Sequence, residues 1–179
     1  EEKEEEAQNI AQQLHKIRKK TARQLEKDLQ KELDDLYLEN ARISVYFAPN
    51  ERKELTKDGL DNVTFMLSTN VGEPLKPLDK IASGGEMSRI MLGLKKILAE
   101  HDLIQTVIFD EIDAGVSGRV AQAIAEKMYQ ISTTTQTLCI THLPQVAAMA
   151  DQHLLIKKEV SGDRTSTSVR QLTEDETIN

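Results

Sequence analysis

Aromatic residues and prolines are scarce in this 179-residue chain, tryptophan is absent and there is a single cysteine. One cysteine excludes a disulfide framework and indicates a reducing compartment, and the apolar run around Cys139 predicts a small buried side chain rather than a reactive thiol. No apolar stretch approaches the ~18 residues of a membrane helix and no signal peptide opens the chain, so we expect a cytoplasmic protein without a membrane partner. The net charge of -7 excludes a domain that is basic throughout and binds nucleic acid by bulk charge, although it leaves a local basic patch open.

The first part of the chain predicts one long helix. Residues 1–38 contain no glycine or proline, and apolar residues recur every three or four positions, as at Ile10, Leu14 and Ile17. A helix of this length is typical of the base of a coiled coil, and its apolar stripe needs either a coiled-coil mate or the body of the domain. We therefore divide the chain into a neck helix, 1–38, and a C-terminal lobe, 39–179.

The lobe predicts a mixed α/β fold. Alternating apolar residues at 43–47 and 63–67 indicate two antiparallel strands, and the glycine and two prolines of 72–77 predict a loop. The elements that follow are a helix at 85–100, a strand at 105–109, a helix at 117–131, a strand at 137–140, a short helix from Pro144 and a hairpin of 154–156 with 166–172. Two apolar strands separated by a helix indicate a parallel sheet with helices on its faces.

A short glycine motif precedes the helix at 85–100. Gly84 and Gly85 lack the Cβ atoms that block close approach of an anion, and the start of a helix offers unpaired N–H groups. Ser83 can add a hydroxyl donor. The alternative is that Ser83 simply caps the helix after a flexible turn.

Two carboxylates end the apolar strand at 105–109. Asp110 and Glu111 are expected at the carboxyl edge of the sheet, where open α/β folds bind their ligands. The first acid suits a Mg²⁺ ion, and the second suits a general base that activates a water molecule beside a phosphate. The alternative is that the pair caps the next helix or is solvated.

A histidine follows the next apolar strand. His142 can donate a hydrogen bond to a terminal phosphate, or it can be a structural histidine. We interpret the other histidines, His15, His101 and His153, as ordinary surface or helix-end residues.

A basic cluster lies on the neck helix. It indicates either contacts with DNA phosphates or a solvated helix face. Its members are Lys16, Arg18, Lys19, Lys20 and Arg23.

In this order the motifs resemble those of ABC-type ATPases, and more narrowly those of the SMC-like members that act in DNA repair. Segment 82–86 is similar to the signature motif, 107–111 to the Walker B strand and 113–117 to the D-loop, and His142 is similar to the switch histidine. The resemblance implies the C-terminal lobe of an ATPase head. The phosphate-binding loop G-x-x-x-x-G-K-[ST] does not occur in the 179 residues, and the chain starts without Met. We therefore expect part of a longer polypeptide whose N-terminal half carries that loop, and an inactive isolated chain.

The family likeness also implies an arrangement of residues around ATP and Mg²⁺. Two heads enclose two ATP molecules, each bound by the phosphate loop of one head and the signature motif of the other. The residues implied to contact ATP on a second head are Ser83, Gly84, Gly85 and Glu86. Asp110 is implied to hold Mg²⁺, Glu111 to act as general base and His142 to contact the terminal phosphate on the same head, with Asp113 at the dimer interface.

The expected activity is ATP hydrolysis in the intact protein during repair of DNA double-strand breaks, with DNA as a partner and a location at the nucleoid. Two alternatives remain open from the residues. One is a different SMC-like or transporter-type ABC ATPase. The other is a module for dimerisation or DNA tethering that works without nucleotide.

Overall fold

The computed structural model describes residues 1–48, 55–81, 84–99, 103–110, 112–116, 118–161, 164–173 and 175–176. Its helices are α1 Glu2–Asp35, α2 Gly84–Leu98, α3 Gly118–Ser132 and α4 Pro144–Ala147, with a 3-10 turn at Leu78–Lys80. Its strands are β1 Arg42–Ala48, β2 Asn62–Ser68, β3 Lys76–Pro77, β4 Thr106–Asp110, β5 Gln136–Ile140, β6 Leu154–Ser161 and β7 Arg164–Gln171. The mixed α/β class predicted from the sequence is confirmed.

The apolar stripe of helix α1 is buried at one end and exposed at the other. Its 34 residues extend for about 50 Å at 1.5 Å per residue. Towards the C-terminal end Leu29 and Leu33 are fully buried against the body, whereas Ile10 and Ile17 are 58% and 62% exposed. The stripe therefore packs on the domain at its base and leaves its distal part uncovered. No helix in the described ranges is long and apolar enough to cross a membrane.

The antiparallel sheet contains one strand more than predicted. β1 and β2 pair antiparallel from Arg42 opposite Ser68 to Ala48 opposite Asn62, as expected. The prediction of a loop throughout 72–77 is wrong, because Lys76 and Pro77 pair with Leu67 and Met66 as the short edge strand β3. An edge strand tolerates proline because its outward side makes no ladder hydrogen bond.

A parallel pair of strands forms the centre of the lobe. β4 and β5 pair in parallel with Asp110 opposite Ile140, and α3 connects them. Phe109 of β4 is 8% exposed and packs with α3, whereas Ile108, which points to the other face, is 65% exposed. The hairpin of β6 and β7 also carries exposed apolar side chains, for example Ile156 at 55%. The face of the β4–β5 pair that carries Ile108 is therefore open, and the hairpin separately exposes apolar side chains.

Two apolar clusters pack the base of α1 against the lobe. One joins α1 to β2 and α2 and contains Leu29, Leu33, Leu67 and Ile90. A larger one centres on α3 and includes Leu36, Leu92, Phe109, Ile112, Ile124, Ala125, Met128, Ile131 and Val146. The helices α1 and α2 come very close at Gly93, where an added Cβ would lie 3.2 Å from Glu32 Cβ.

An ion-pair cluster joins the same three helices. Lys127 Nζ of α3 lies 2.6 Å from Glu32 Oε2 and 2.6 Å from Asp35 Oδ2, and Lys96 Nζ of α2 lies 2.6 Å from Glu32 Oε1. Glu32 and Lys127 are each 7% exposed. Burial lowers the pKa of Lys127, but the hydrogen bonds to Asp35 and Glu32 outweigh it and hold that pKa above its usual value.

Lys127→Met should destabilise the chain by about 3 kcal/mol, because it removes the shared cation and leaves the buried Glu32 poorly compensated. Lys157→Met is the matched control, since Lys157 pairs with Glu159 at 2.8 Å on an exposed hairpin and should cost below about 1 kcal/mol. Urea denaturation followed by circular dichroism measures both free energies of unfolding. Equal losses in the two variants would contradict a stabilising role for the buried cluster.

Candidate functional site

The carboxyl ends of β4 and β5 bring two of the sequence-predicted residues to one edge of the sheet. Asp110 is the last residue of β4 and is exposed. Its partner in the ladder is Ile140, the last residue of β5, and His142 follows two positions later with a side chain 75% exposed. A carboxylate and an imidazole therefore stand at adjacent strand ends and are open to solvent.

The loop after β4 is a tight turn with a buried start. Ile112 is 1% exposed and Asp113 is 2% exposed. The N–H of Val116 donates to the Asp113 carbonyl at 3.3 Å, and Gly115 has the positive φ of 70° that a glycine adopts without strain. Glu111, the predicted general base, lies outside the described residues.

Asp113 faces the segment after β5. Its Oδ2 accepts a hydrogen bond from the Thr141 hydroxyl and lies 3.8 Å from His142 Nδ1. The Thr141 oxygen in turn accepts a hydrogen bond from the N–H of Leu143 at 3.0 Å. The Asp113 carboxylate is thus buried within its own chain and is in contact with the segment that carries His142. Sequence analysis did not identify Thr141, whose only sequence signal is its place next to His142.

The glycine motif opens α2 beside this loop. Gly84 is the first residue of α2 and is exposed, and Glu86 lies in the first turn. Gly85 is required by packing, because a Cβ at this position would lie 3.0 Å from the Ala114 carbonyl oxygen. Ser83 lies outside the described residues. The start of α2 is therefore in direct contact with the loop that holds Asp113.

One arginine of α2 was not predicted as a site residue. Burial lowers the pKa of Arg89, and the charge of Glu86 opposes that effect. The Arg89 Nε is buried without a hydrogen-bond acceptor among the described residues. A buried polar atom without a partner is costly, so the setting of Arg89 on α2 is unusual among the described residues.

The basic cluster of α1 divides into two groups. Arg18 donates to Asp61 Oδ2 at 3.1 Å and to the Asp58 carbonyl at 2.8 Å, and Lys19 Nζ lies 5.9 Å from the centre of the Phe47 ring. These two side chains bind the hairpin of β1 and β2. Like Lys19, the remaining members Lys16, Lys20 and Arg23 are exposed, and Lys27 continues the line of these three at the helical spacing.

Two of the remaining histidines make specific contacts and are not simply surface residues. His15 Nδ1 is hydrogen-bonded to Asp61, and His153 Nε2 lies 2.8 Å from the Ala147 carbonyl. Burial raises the pKa of Asp61, but the bonds from His15 and Arg18 outweigh this and keep that pKa below its usual value. His101 lies outside the described residues.

The chain is similar to bacterial DNA repair proteins named RecN. The DNA repair protein RecN of Halalkalibacterium halodurans is 53% identical over 167 residues, which is 92% of this chain and 30% of that protein. The RecN of Bacillus subtilis is 48% identical over 186 aligned positions, covering 97% of this chain and 32% of that protein. The chain is RecN-like. It spans about three-tenths of the length of these relatives, and no protein-family profile matches it.

Solved structures place the RecN-like chain in the fold of SMC head domains. The Smc head domain with a coiled coil and joint from Pyrococcus yayanosii has a TM-score of 0.61 at 18% identity, covering 90% of this chain and 29% of that one. A chain from a study of ATP-driven dimerization and DNA-stimulated activation of SMC ATPases has a TM-score of 0.53 at 16% identity, covering 91% and 92%. At these identities the likeness concerns the fold alone.

Cys139 of β5 should react slowly with alkylating reagents. Burial, followed by the negative charges of Asp113 and Asp110, raises the pKa of this thiol to about 11. At pH 8 the reactive thiolate is therefore rare in the folded chain, and its share increases when the chain unfolds. Iodoacetamide labelling followed by mass spectrometry, with and without urea, measures the two rates. Equal rates in both conditions would contradict the burial seen here.

Proposed function

We propose that this RecN-like chain is one lobe of an ATPase head in a longer protein that acts in repair of DNA double-strand breaks. The observation that supports it best is the edge formed by β4 and β5, where Asp110 ends one strand, His142 follows the end of the other, and His142 Nδ1 lies 3.8 Å from the buried Asp113. The high identity to RecN proteins gives the biological setting. Within that setting the reaction is magnesium-dependent hydrolysis of ATP.

Each site residue has a separate role in the proposed hydrolysis of ATP. Glu111 takes a proton from the attacking water while the water oxygen bonds to the γ-phosphorus and the bond to the bridging oxygen breaks, releasing ADP and phosphate. His142 donates a hydrogen bond to the γ-phosphate on the same head. Both roles need groups at the open carboxyl edge of the sheet, which is where Asp110 and His142 lie.

The described residues can supply Mg²⁺ with only a few of the oxygen ligands that it needs. Among the described residues no group of three or more histidine, cysteine or acidic side chains forms a metal cluster. Mg²⁺ in nucleotide sites is bound by one or two carboxylates together with water and phosphate oxygens, so the exposed Asp110 suffices as a protein ligand. When bound, the ion neutralises charge on the phosphate oxygens.

A second head completes the reaction centre. Ser83, Gly84, Gly85 and Glu86 form the surface that contacts ATP on that head, and the exposed start of α2 offers N–H groups for it. A related observation comes from the SMC chain described above, whose study concerns ATP-driven dimerization. Asp113 is implied at this interface by the family likeness, but its carboxylate is buried, so we place it as support beneath the interface.

The N-terminal half of the longer protein is the partner that covers the open apolar face and carries the phosphate loop. Ile108 and Ile140 of the parallel pair are 65% and 52% exposed, and Ile156 of the hairpin is 55% exposed. Covering such a face stabilises a parallel sheet, which is normally buried on both sides. Along α1, Ile10 and Ile17 are seven residues apart and exposed, which suits a second helix of a coiled coil.

The exposed basic stripe of α1 is the part of the neck that suits duplex DNA. Lys16, Lys20, Arg23 and Lys27 follow one another at intervals of four, three and four residues, so they share one face over about 16 Å. Within the described residues, no ion pair or hydrogen bond holds these four side chains.

The stripe also carries an energetic cost in the free protein. Like charges four residues apart repel each other along a helix. The carboxylate of Glu26, which lies within reach along the helix, instead accepts hydrogen bonds from Val45 N–H at 2.7 Å and from Ser44 Oγ at 3.1 Å. Phosphates bound along the stripe would relieve the repulsion that remains.

In the cell such a protein works in the cytoplasm at the nucleoid.

Magnesium-dependent ATP hydrolysis tests the catalytic assignment. We expect no hydrolysis by this chain alone and activity after the segment with the phosphate loop is added. In the full-length protein, Glu111→Gln should lower kcat by about 100-fold or more, because it removes the general base. Glu126→Gln on the exposed side of α3 is the matched control and should leave kcat unchanged. Activity of the chain alone, or an active E111Q variant, would contradict the assignment.

The DNA contact is tested by changing Lys16, Lys20, Arg23 and Lys27 together to glutamine in the full-length protein. Each phosphate-binding side chain that is removed should reduce the slope of log affinity against log salt by about 0.9. The control replaces four other exposed lysines, Lys57, Lys76, Lys157 and Lys158, which lie off the neck helix. Fluorescence anisotropy with a labelled duplex over a salt series measures both slopes. An identical slope in the two variants would exclude the stripe as the DNA contact.

A further inference from the structure

Resting on the proposed function, we propose that Asp113 is a positioning residue that acts through the Thr141 hydroxyl to hold the switch histidine His142. The three groups come from the loop after β4 and the segment after β5, which are brought together by the parallel pairing of these strands. Asp113 touches neither substrate nor metal in this role.

The two hydrogen bonds of the Thr141 hydroxyl can have only one direction each. Its proton goes to Asp113 Oδ2, and its oxygen accepts the N–H of Leu143 at 3.0 Å. A hydroxyl has a single proton, so the direction of both bonds is determined. The residues on either side of His142 are thereby joined through one side chain, which restricts the backbone that carries the imidazole.

The imidazole itself lies near the same carboxylate. Nδ1 of His142 lies 3.8 Å from Asp113 Oδ2, while most of the side chain is exposed. With Nδ1 on the protein side, Nε2 is the ring nitrogen directed away from Asp113. This nitrogen is therefore available for a phosphate oxygen.

The loop that carries Asp113 is packed on both sides. Ile112 belongs to the apolar cluster around α3, and the Ala114 carbonyl oxygen lies so close to Gly85 that a Cβ would reach within 3.0 Å of it. The loop therefore touches the switch segment with Asp113 and the start of α2 with Ala114.

A purely structural role does not explain why a carboxylate, that of Asp113, occupies this position. Burying an ionised group is costly, and an apolar side chain would fill a loop interior at lower cost. Within the described ranges, the polar side chains that contact the Asp113 carboxylate are Thr141 and His142. The carboxylate thus faces the group it is proposed to position.

The test uses the full-length protein and steady-state ATP hydrolysis. Thr141→Val keeps the shape of the side chain but removes the hydroxyl, whereas Thr141→Ser keeps the hydroxyl and is the matched control. We expect T141V to lower kcat about tenfold with KM changed less than about twofold, and T141S to retain most of the activity. In a His142→Ala background, T141V should have no further effect, because the group that it positions is already absent.

The outcomes separate this inference from the proposed function. A tenfold decrease from T141V that persists in the H142A background would show a structural role and overturn the inference, as would an unchanged kcat. If H142A alone leaves hydrolysis unchanged, the proposed role of His142 fails instead. Should T141V prove unfolded by circular dichroism, Asp113→Asn, which keeps the size of the side chain, is measured in both backgrounds against the same expectations.

Discussion

A buried ammonium group determines where the long helix meets the rest of the molecule. Lys127 of α3 binds Glu32 and Asp35 near the end of α1, and Lys96 of α2 completes the cluster. Apolar side chains alone allow helices to slide, because burial has no direction. Ion pairs with three fixed distances select one register, and the close approach at Gly93 depends on it. The ion pairs therefore join the end of α1 to the C-terminal end of α2, whereas the glycine motif lies at the N-terminal end of α2.

The parallel pairing of β4 and β5 is the second constraint, and it determines which residues reach one edge of the sheet. Parallel strands end at the same edge, so Asp110 lies opposite Ile140, and His142 follows Ile140 by two positions. The same pairing brings the loop of Asp113 against Thr141. The open apolar face of these strands is consistent with a RecN-like chain that spans about three-tenths of its relatives. The residues that are proposed to carry the chemistry thus lie at one edge of this lobe, and its apolar face is open to the rest of the proposed head.

The neck helix carries two kinds of basic residue that the sequence does not distinguish. Arg18 is bound to the buried Asp61 together with His15, and this contact connects the helix to the β1–β2 hairpin. Lys20 and Arg23 stand on an exposed face. The difference arises because side chains three or four residues apart share a face, whereas Arg18 points towards the body. Side chains that bind the body and side chains that are proposed to bind DNA therefore alternate along one helix, so mutating the whole cluster would not separate stability from the proposed DNA contact.

By itself the sequence determined the element types and the site motifs. The apolar periodicity predicted α1, the antiparallel pair and the parallel pair, since burial imposes spacings of three to four residues on helices and of two on strands. Only the tertiary structure decided the rest. The pairing of Pro77 at a sheet edge, the partner of Lys127 and the burial of Asp113 against Thr141 all join residues distant in sequence. Such contacts depend on how elements pack in three dimensions, and no local pattern records that.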